Sequence, residues 1–298
     1  MRAVRLHAPG GLDDLAVEEI PVPTVGSGEA LIRVHAAAIT RDELGWPVDR
    51  LPATPSYEVS GVVAAVGTDV DDASVRVGDA VYALTPFDRD GVAAGYAAVP
   101  VACLAPKPGS LGHVEAAALP MAGLSAWQAL FVHGLLEPGQ RVMIHGAAGG
   151  VGHVATQLAR WRGAHVIGTA TGSAVDAARA FGADEVIDRA RVRFDEAVGP
   201  VDLVFDTVGG EVLARSAHVV RDGGRVVSIA EEAPGGMTAI YFVVEPDRAQ
   251  LVELARLVDD GAVRSAIDAV FALDDAVPAF ERVMAAGKRG KVVLEVRR

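Results

Sequence analysis

The stretch Arg141-Val-Met-Ile-His-Gly-Ala-Ala-Gly-Gly-Val-Gly-His-Val-Ala constrains this chain more than any other. Arg141–His145 has the pattern of a buried strand. Beyond it, Val151, Val154, Ala155 and Leu158 recur at i, i+3, i+4 and i+7, one apolar helix face that stops at Gly163. Between strand and helix, read from Ala147, lies Ala-x-Gly-x-x-Gly, with glycines at Gly149 and Gly152. Small residues there allow a tight turn, a close approach of backbone to a pyrophosphate, and hard packing of helix on strand. The helix N-terminus then offers free N–H groups and a partial positive charge to the anion. A lone Gly-rich hexad is weak, but the strand–turn–helix context implies a dinucleotide site at Ala147, Gly149, Gly150, Val151 and Gly152. A merely structural turn is the competing reading.

The second strand bears on which dinucleotide. An acid about 20 residues on would bind a ribose 2′-hydroxyl. Here Val166-Ile-Gly-Thr-Ala-Thr-Gly-Ser173 carries none before Asp176, and Thr169, Thr171 and Ser173 are donors that suit a 2′-phosphate. NADP(H) is the expected cofactor. No Lys or Arg lies between Arg162 and Arg179, which leaves Arg189, just after the third strand, as the candidate cation or as an ordinary solvated arginine.

The rest of the chain supplies the frame. Up to about residue 120, short β runs (Arg2–His7, Ala16–Ile20, Glu29–Ala38, Val59–Val66, Ala80–Leu84, Tyr96–Val101) are broken by Gly and Pro, as in a compact barrel-like β domain. From about Leu119, strands and helices alternate, which calls for a parallel, doubly wound sheet. The tail, with a strand at Ala269–Phe271, a helix at Asp274–Ala285 and a strand at Lys291–Val296, is expected to return to the first domain. The expected division is 1–120 with 266–298 against 121–265.

Composition excludes several classes. Lys+Arg 27 against Asp+Glu 39 gives a net charge of −12, which argues against a broad nucleic-acid surface or a polybasic membrane anchor. The single Cys103 rules out an intramolecular disulfide and a multi-thiolate zinc centre, and reads as a buried, inert thiol. With no signal-like apolar region after Met1 and no long apolar run, a cytoplasmic location is expected.

Stretches along nearly the whole chain carry a resemblance. They include Glu29-Ala-Leu-Ile-Arg-Val-His-Ala-Ala-Ala-Ile, Glu58-Val-Ser-Gly-Val-Val, Val77-Gly-Asp-Ala-Val-Tyr, Leu119-Pro-Met-Ala-Gly-Leu-Ser-Ala-Trp-Gln-Ala-Leu, Phe181-Gly-Ala-Asp-Glu-Val-Ile-Asp, Asp206-Thr-Val-Gly-Gly and Gly290-Lys-Val-Val-Leu. The chain resembles the medium-chain dehydrogenase/reductase superfamily, specifically its zinc-independent quinone oxidoreductase branch. That resemblance implies an α/β chain with a GroES-like β-barrel domain, an inserted Rossmann domain, and a homodimer. Where the zinc alcohol dehydrogenases of the superfamily carry a Cys and a His on the catalytic metal, this chain has Thr40 and Tyr57. Both are poor zinc ligands, so no catalytic zinc is expected. Without a metal to stabilise an alkoxide, a quinone or an α,β-unsaturated carbonyl is the expected hydride acceptor.

The resemblance also implies a nicotinamide pocket built from the loop Thr40–Trp46, from Ser125 at a helix start, and from Tyr241–Val244, whose Phe242 and Val243 reach the carboxamide. By the same resemblance Thr207, Val208 and Ile229 join the cofactor site. Thr40, Tyr57 and Tyr241 are the candidate catalytic residues. Either tyrosine can equally serve a core or an interface. Trp46 reads as an apolar wall for a flat substrate, and Arg41-Asp42-Glu43 as a solvated turn or an internal ion pair. The β-rich Thr238–Val244 is expected to pair with its twin across a dimer, since open apolar edges are hazardous. An enoyl-thioester reductase and a non-catalytic NADPH-binding sensor or structural protein stand as alternatives.

Overall fold

The computed structural model describes residues 1–46, 49–70 and 75–297. In chain order the strands and helices are β1 (Arg2–Leu6), β2 (Leu15–Glu19), β3 (Glu29–Ile39), β4 (Glu58–Val66), β5 (Ala80–Leu84), β6 (Tyr96–Pro100), β7 (Ala105–Pro106), α1 (His113–Ala117) and α2 (Pro120–Trp127). There follow β8 (Arg141–His145), α3 (Gly152–Trp161), β9 (His165–Ala170), α4 (Ala174–Ala180), β10 (Glu185–Asp188), α5 (Phe194–Ala197), β11 (Val201–Asp206), α6 (Gly210–Ser216), β12 (Val220–Ser228) and β13 (Ile240–Tyr241). The chain closes with α7 (Arg248–Asp259), β14 (Ile267–Ala272), α8 (Ala276–Met284) and β15 (Lys291–Glu295). Two compact units result, one of Met1–Met121, Pro246–Asp260 and Ser265–Arg298, the other of Ala122–Glu245 and Gly261–Arg264.

In the first unit β3 is the organising strand. It pairs with β4, β6 and β15, all antiparallel, within a seven-stranded sheet. Its alternate residues Ala30, Ile32 and Val34 enter one core with Val59, Val63 and Val99, as the two-residue period of a strand requires. At its far end β3 is buried on both faces, from Ala36 to Ile39. There Ile39 lies opposite Val292 and Ala38 opposite Glu58, so the end of β3 meets the starts of β4 and β15. Gly290 makes the entry to β15 possible: its φ is +81°, and a Cβ would stand 2.1 Å from the Ala266 carbonyl oxygen.

The helix α7 departs from the expected boundary at 265. Its amphipathic rhythm suits either unit, but its contacts are with the first. The Tyr82 hydroxyl donates to the Leu251 carbonyl at 2.5 Å, Arg248 Nε to the Leu104 carbonyl at 2.7 Å, and the Ser110 amide to Asp259 at 2.9 Å.

The second unit is a parallel six-stranded sheet in the order β10-β9-β8-β11-β12-β13. The chain leaves β8 in one direction and returns to β11 on its other side, which creates a crevice beyond the carboxyl ends of those two strands. The β-rich run expected over 238–244 forms only the two-residue β13 at the sheet edge. Among the described residues no helix is long and apolar enough to cross a membrane.

Candidate functional site

The turn between β8 and α3 is set from below by His145, the last residue of β8 and fully buried. Its Nε2 lies 3.0 Å from Ser216 Oγ and its Nδ1 3.1 Å from Thr169 Oγ1. The Ser216 hydroxyl donates to the Val212 carbonyl at 2.8 Å, so His145 Nε2–H donates and Nδ1 accepts from Thr169. Burial, with Arg189 adding to it, pushes the imidazole pKa down to about 3 and keeps the ring neutral. Thr169 Oγ1 also accepts the Gly146 N–H at 3.3 Å. This corrects the expectation for Thr169: it is fully buried, and its hydroxyl is engaged by His145 and the Gly146 amide, bracing the turn from inside.

Above that base, Gly149 N–H donates to the Gly146 carbonyl at 2.8 Å, and His153 N–H to the Gly149 carbonyl at 3.2 Å. Among the described residues no backbone acceptor takes the N–H of Gly150, Val151 or Gly152. Three amides at the head of a ten-residue helix are therefore free for an anion. A Cβ on Gly152 would come within 2.1 Å of the Gly146 carbonyl oxygen, whereas on Gly149 the nearest atom is that same oxygen at 3.1 Å. The steric demand at Gly152 thus comes from the turn itself.

The opposite wall starts from Asp206 at the end of β11. Its buried carboxylate accepts from the amides of Val208 (3.1 Å) and Gly209 (3.0 Å) and from the Ser228 hydroxyl (2.9 Å). Desolvation raises its pKa against those donors. Thr207 Oγ1 donates to the His145 carbonyl at 2.8 Å, and Ile229 N–H to the Asp206 carbonyl at 3.1 Å. Ala147, Gly150, Val151, Thr207, Val208 and Ile229 thus follow the ends of adjoining strands of one sheet.

At the end of β9, Thr171 and Ser173 are exposed. The Arg189 amide donates to the Ala170 carbonyl at 3.0 Å, which anchors that arginine at the same strand end. Its Nε is buried and has no hydrogen-bond partner among the described residues. Such an unpaired donor is costly without an acceptor. Elsewhere in this unit, Ser125 lies in the middle of α2 rather than at a helix start, and is buried. Phe242 N–H donates to the Ser228 carbonyl at 3.3 Å, while Tyr241 and Val243 are exposed at the sheet edge.

The first unit holds a second group of functional side chains. Thr40 follows β3 directly and is half-buried. Its Oγ1 accepts from Lys291 Nζ at 3.0 Å and donates to Met121 Sδ at 3.4 Å. The same ammonium is ion-paired with Glu58 Oε1, while Glu58 Oε2 accepts the Met121 N–H at 2.9 Å. Tyr57 is fully buried, packs against Trp46 and Phe87, and its hydroxyl accepts from Arg50 at 3.1 Å. Burial raises its pKa, with Arg50 opposing. Trp46 is 37% exposed and forms the open side of that aromatic group.

Sequence reasoning missed Glu43. The charged run expected to be solvated keeps Arg41 and Asp42 outside, but Glu43 has no exposure, and neither carboxyl oxygen has a hydrogen-bond partner among the described residues. Burial pushes its acid up to about 8; Lys291 and the backbone of Thr40 and Ser56 oppose, while Glu58 adds to the rise. A carboxyl so placed is neutral at pH 7. The one local signal is the alternative already noted, an internal ion pair within the run.

A parallel sheet with a free-amide crevice at its switch point defines a dinucleotide-binding oxidoreductase scaffold. Comparison with known proteins agrees. A family model described as the alcohol dehydrogenase GroES-like domain matches residues 26–109, and one described as zinc-binding dehydrogenase matches 181–294. The chain is 32% identical to the "Probable zinc-binding oxidoreductase, mitochondrial" of Arthroderma benhamiae, over 99% of this chain and 96% of that one. It is likewise 32% identical to the chloroplastic NADPH-dependent alkenal/one oxidoreductase of Arabidopsis thaliana, over 96% of this chain and 77% of that one. The solved quinone oxidoreductase of Coxiella burnetii superposes with a TM-score of 0.93 at 31% identity, covering 100% of this chain and 99% of that one. A phenolphthiocerol/phthiocerol polyketide synthase subunit of Mycobacterium tuberculosis is 31% identical over 99% of this chain, which spans 15% of that protein. The chain belongs to the medium-chain dehydrogenase/reductase superfamily, on its quinone oxidoreductase-like branch.

Proposed function

We propose that this chain is an NADPH-dependent reductase of quinones or α,β-unsaturated carbonyls that works without a catalytic metal. The observation that carries the cofactor half is the unpartnered Arg189 Nε, held at the end of β9 beside the exposed Thr171 and Ser173, while Asp188 at the neighbouring strand end is ion-paired with Arg191. On this reading Gly150, Val151 and Gly152 donate to the pyrophosphate, and Thr207, Val208 and Ile229 line the crevice next to it. The bound nicotinamide supplies the hydride; the protein's share is to position the acceptor, exclude water and furnish a proton.

The donor set argues for the metal-free half. A divalent ion at Thr40 would have to displace the Lys291 ammonium from Thr40 Oγ1, and at Tyr57 the Arg50 guanidinium from the hydroxyl. Among the described residues no group of three His, Cys, Asp or Glu side chains is placed to hold a metal. Thr40, with a hydroxyl parked on a weak sulfur acceptor, is the favoured catalytic residue over Tyr57, whose hydroxyl is engaged by Arg50, and over Tyr241 at the sheet edge. Trp46 would wall a flat acceptor. The exposed edge at β13 supports a homodimer joined through Tyr241–Val243. A cytoplasmic site of action remains part of the proposal.

The polyketide synthase relative favours one second reading, reduction of an enoyl thioester. Oxidation of NADPH and of NADH, followed with quinones, enones and short enoyl thioesters, separates the readings. Turnover of quinones or enones with NADPH preferred is expected. Thioester-only turnover moves the chain to the second reading, and tight NADPH binding with no turnover makes it a binder.

A further inference from the structure

Resting on the reductase reading above, we infer that Lys291, clamped by Glu58, is the positioning cation that makes Thr40 the proton donor to the reduced acceptor, with buried Glu43 setting the charge of the assembly. The Lys291 ammonium is ion-paired with Glu58 Oε1 and directs one of its three hydrogens at Thr40 Oγ1. Thr40 therefore accepts from a cation and must turn its own O–H elsewhere. In this structure it points to the Met121 sulfur at 3.4 Å, a weak acceptor that an anionic oxygen would readily replace.

Once an acceptor has taken a hydride, its oxygen carries the developing negative charge. The Thr40 O–H bond breaks and its proton forms the new O–H bond on that oxygen. Thr40 oxygen takes one proton from Lys291 Nζ in the same event, and the resulting amine regains a proton from solvent. One hydride and one solvent proton are consumed per turnover, which balances the reduction. A hydroxyl backed by an ammonium also stabilises the oxyanion electrostatically, the task a metal performs elsewhere.

Glu43 sets the net charge around the Lys291–Glu58 pair. Facing Glu43 are Lys291 from β15, Glu58 from β4, and Tyr57 with the Ser56 backbone from the segment before β4. Lys288 stands nearby, under the influence of Lys291, Arg41, Asp42 and Asp268, and burial pushes its pKa down to about 8. With Glu43 neutral, the single carboxylate of Glu58 balances Lys291. Ionised, Glu43 would add a second negative charge, offset the positive field behind Thr40, and weaken Thr40 as a donor. Turnover should therefore fall as Glu43 ionises, near its value of about 8.

The test uses the full chain, NADPH and the best acceptor from the panel above. K291M is expected to lower kcat about a hundredfold with KM little changed, and K291R to restore part of it. E43Q should abolish the alkaline fall in kcat that wild type shows, whereas K288M should keep it. Because K291M strands a buried Glu58 charge, the E58Q/K291M double variant takes its place if circular dichroism shows K291M unfolded. Independently of turnover, the infrared spectrum of wild type at pH 7 should contain a protonated-carboxyl C=O band that E43Q lacks. A folded K291M or double variant with wild-type kcat, an alkaline fall that persists in E43Q, or absence of that band overturns the inference. If wild type turns over none of the acceptors, the reductase reading fails and this inference falls with it.

Discussion

Replacing Glu43 by glutamine should make the protein more stable, by an amount that grows with pH. The carboxyl titrates near 4.5 when unperturbed and near 8 in the folded chain, chiefly because burial removes its hydration. A folded pKa raised in this way gives stability that is complete below about pH 4.5 and is lost as pH rises to about 8, because the unfolded chain ionises first. At about 1.4 kcal/mol per unit, wild type has forfeited about 3 kcal/mol by pH 7 and about 5 kcal/mol above pH 8. Glutamine has the shape of the neutral acid and does not titrate. The stability difference between E43Q and wild type should therefore widen by about 4 kcal/mol between about pH 5 and about pH 8. Urea denaturation of both proteins at several pH values, followed by circular dichroism, measures it. Titrating groups that do not interact with Glu43 are common to the two chains and cancel. A difference that stays constant over that range would refute a protonated Glu43 in the fold.

Three further outcomes are expected. G152A, whose Cβ would stand 2.1 Å from a backbone carbonyl, should cost about 1–3 kcal/mol of stability and sharply weaken NADPH binding; unchanged affinity would place the cradle elsewhere. R189Q should weaken NADPH roughly ten- to hundredfold and leave NADH untouched, and an equal loss for both would remove Arg189 from the 2′-phosphate. Sedimentation should give twice the 30.8 kDa chain mass at micromolar concentration and a shift toward monomer for V243K, whereas monomeric wild type would end the dimer proposal.

The strand–turn–helix unit at β8 and α3 was legible because its causes are local. A strand's burial pattern, a turn of small residues and a helical period lie within some twenty residues of each other, and the structure puts β8 at Arg141–His145 and opens α3 at Gly152, as read. The strand β5 matches the sequence reading end to end for the same reason. Side-chain direction at strand ends was less legible. Thr169 looked like a donor for a ligand, yet a histidine 24 residues away takes its hydroxyl. The edge run over 238–244 had the composition of a strand, but pairs with a neighbour at only two positions.

By itself, then, the sequence determined the order of elements, the parallel sheet and the glycine turn, all encoded in residues near one another along the chain. Only tertiary structure decided which charges lost their water. Lys291 reaches Thr40 across 251 residues because β15 docks against the end of β3, and Glu43 is buried in the same folded unit. Nothing in the run Arg41-Asp42-Glu43 distinguishes its third residue from its first two. Solvation is a property of the assembled surroundings, and a carboxyl's pKa, and with it any role in moving a proton, follows from solvation.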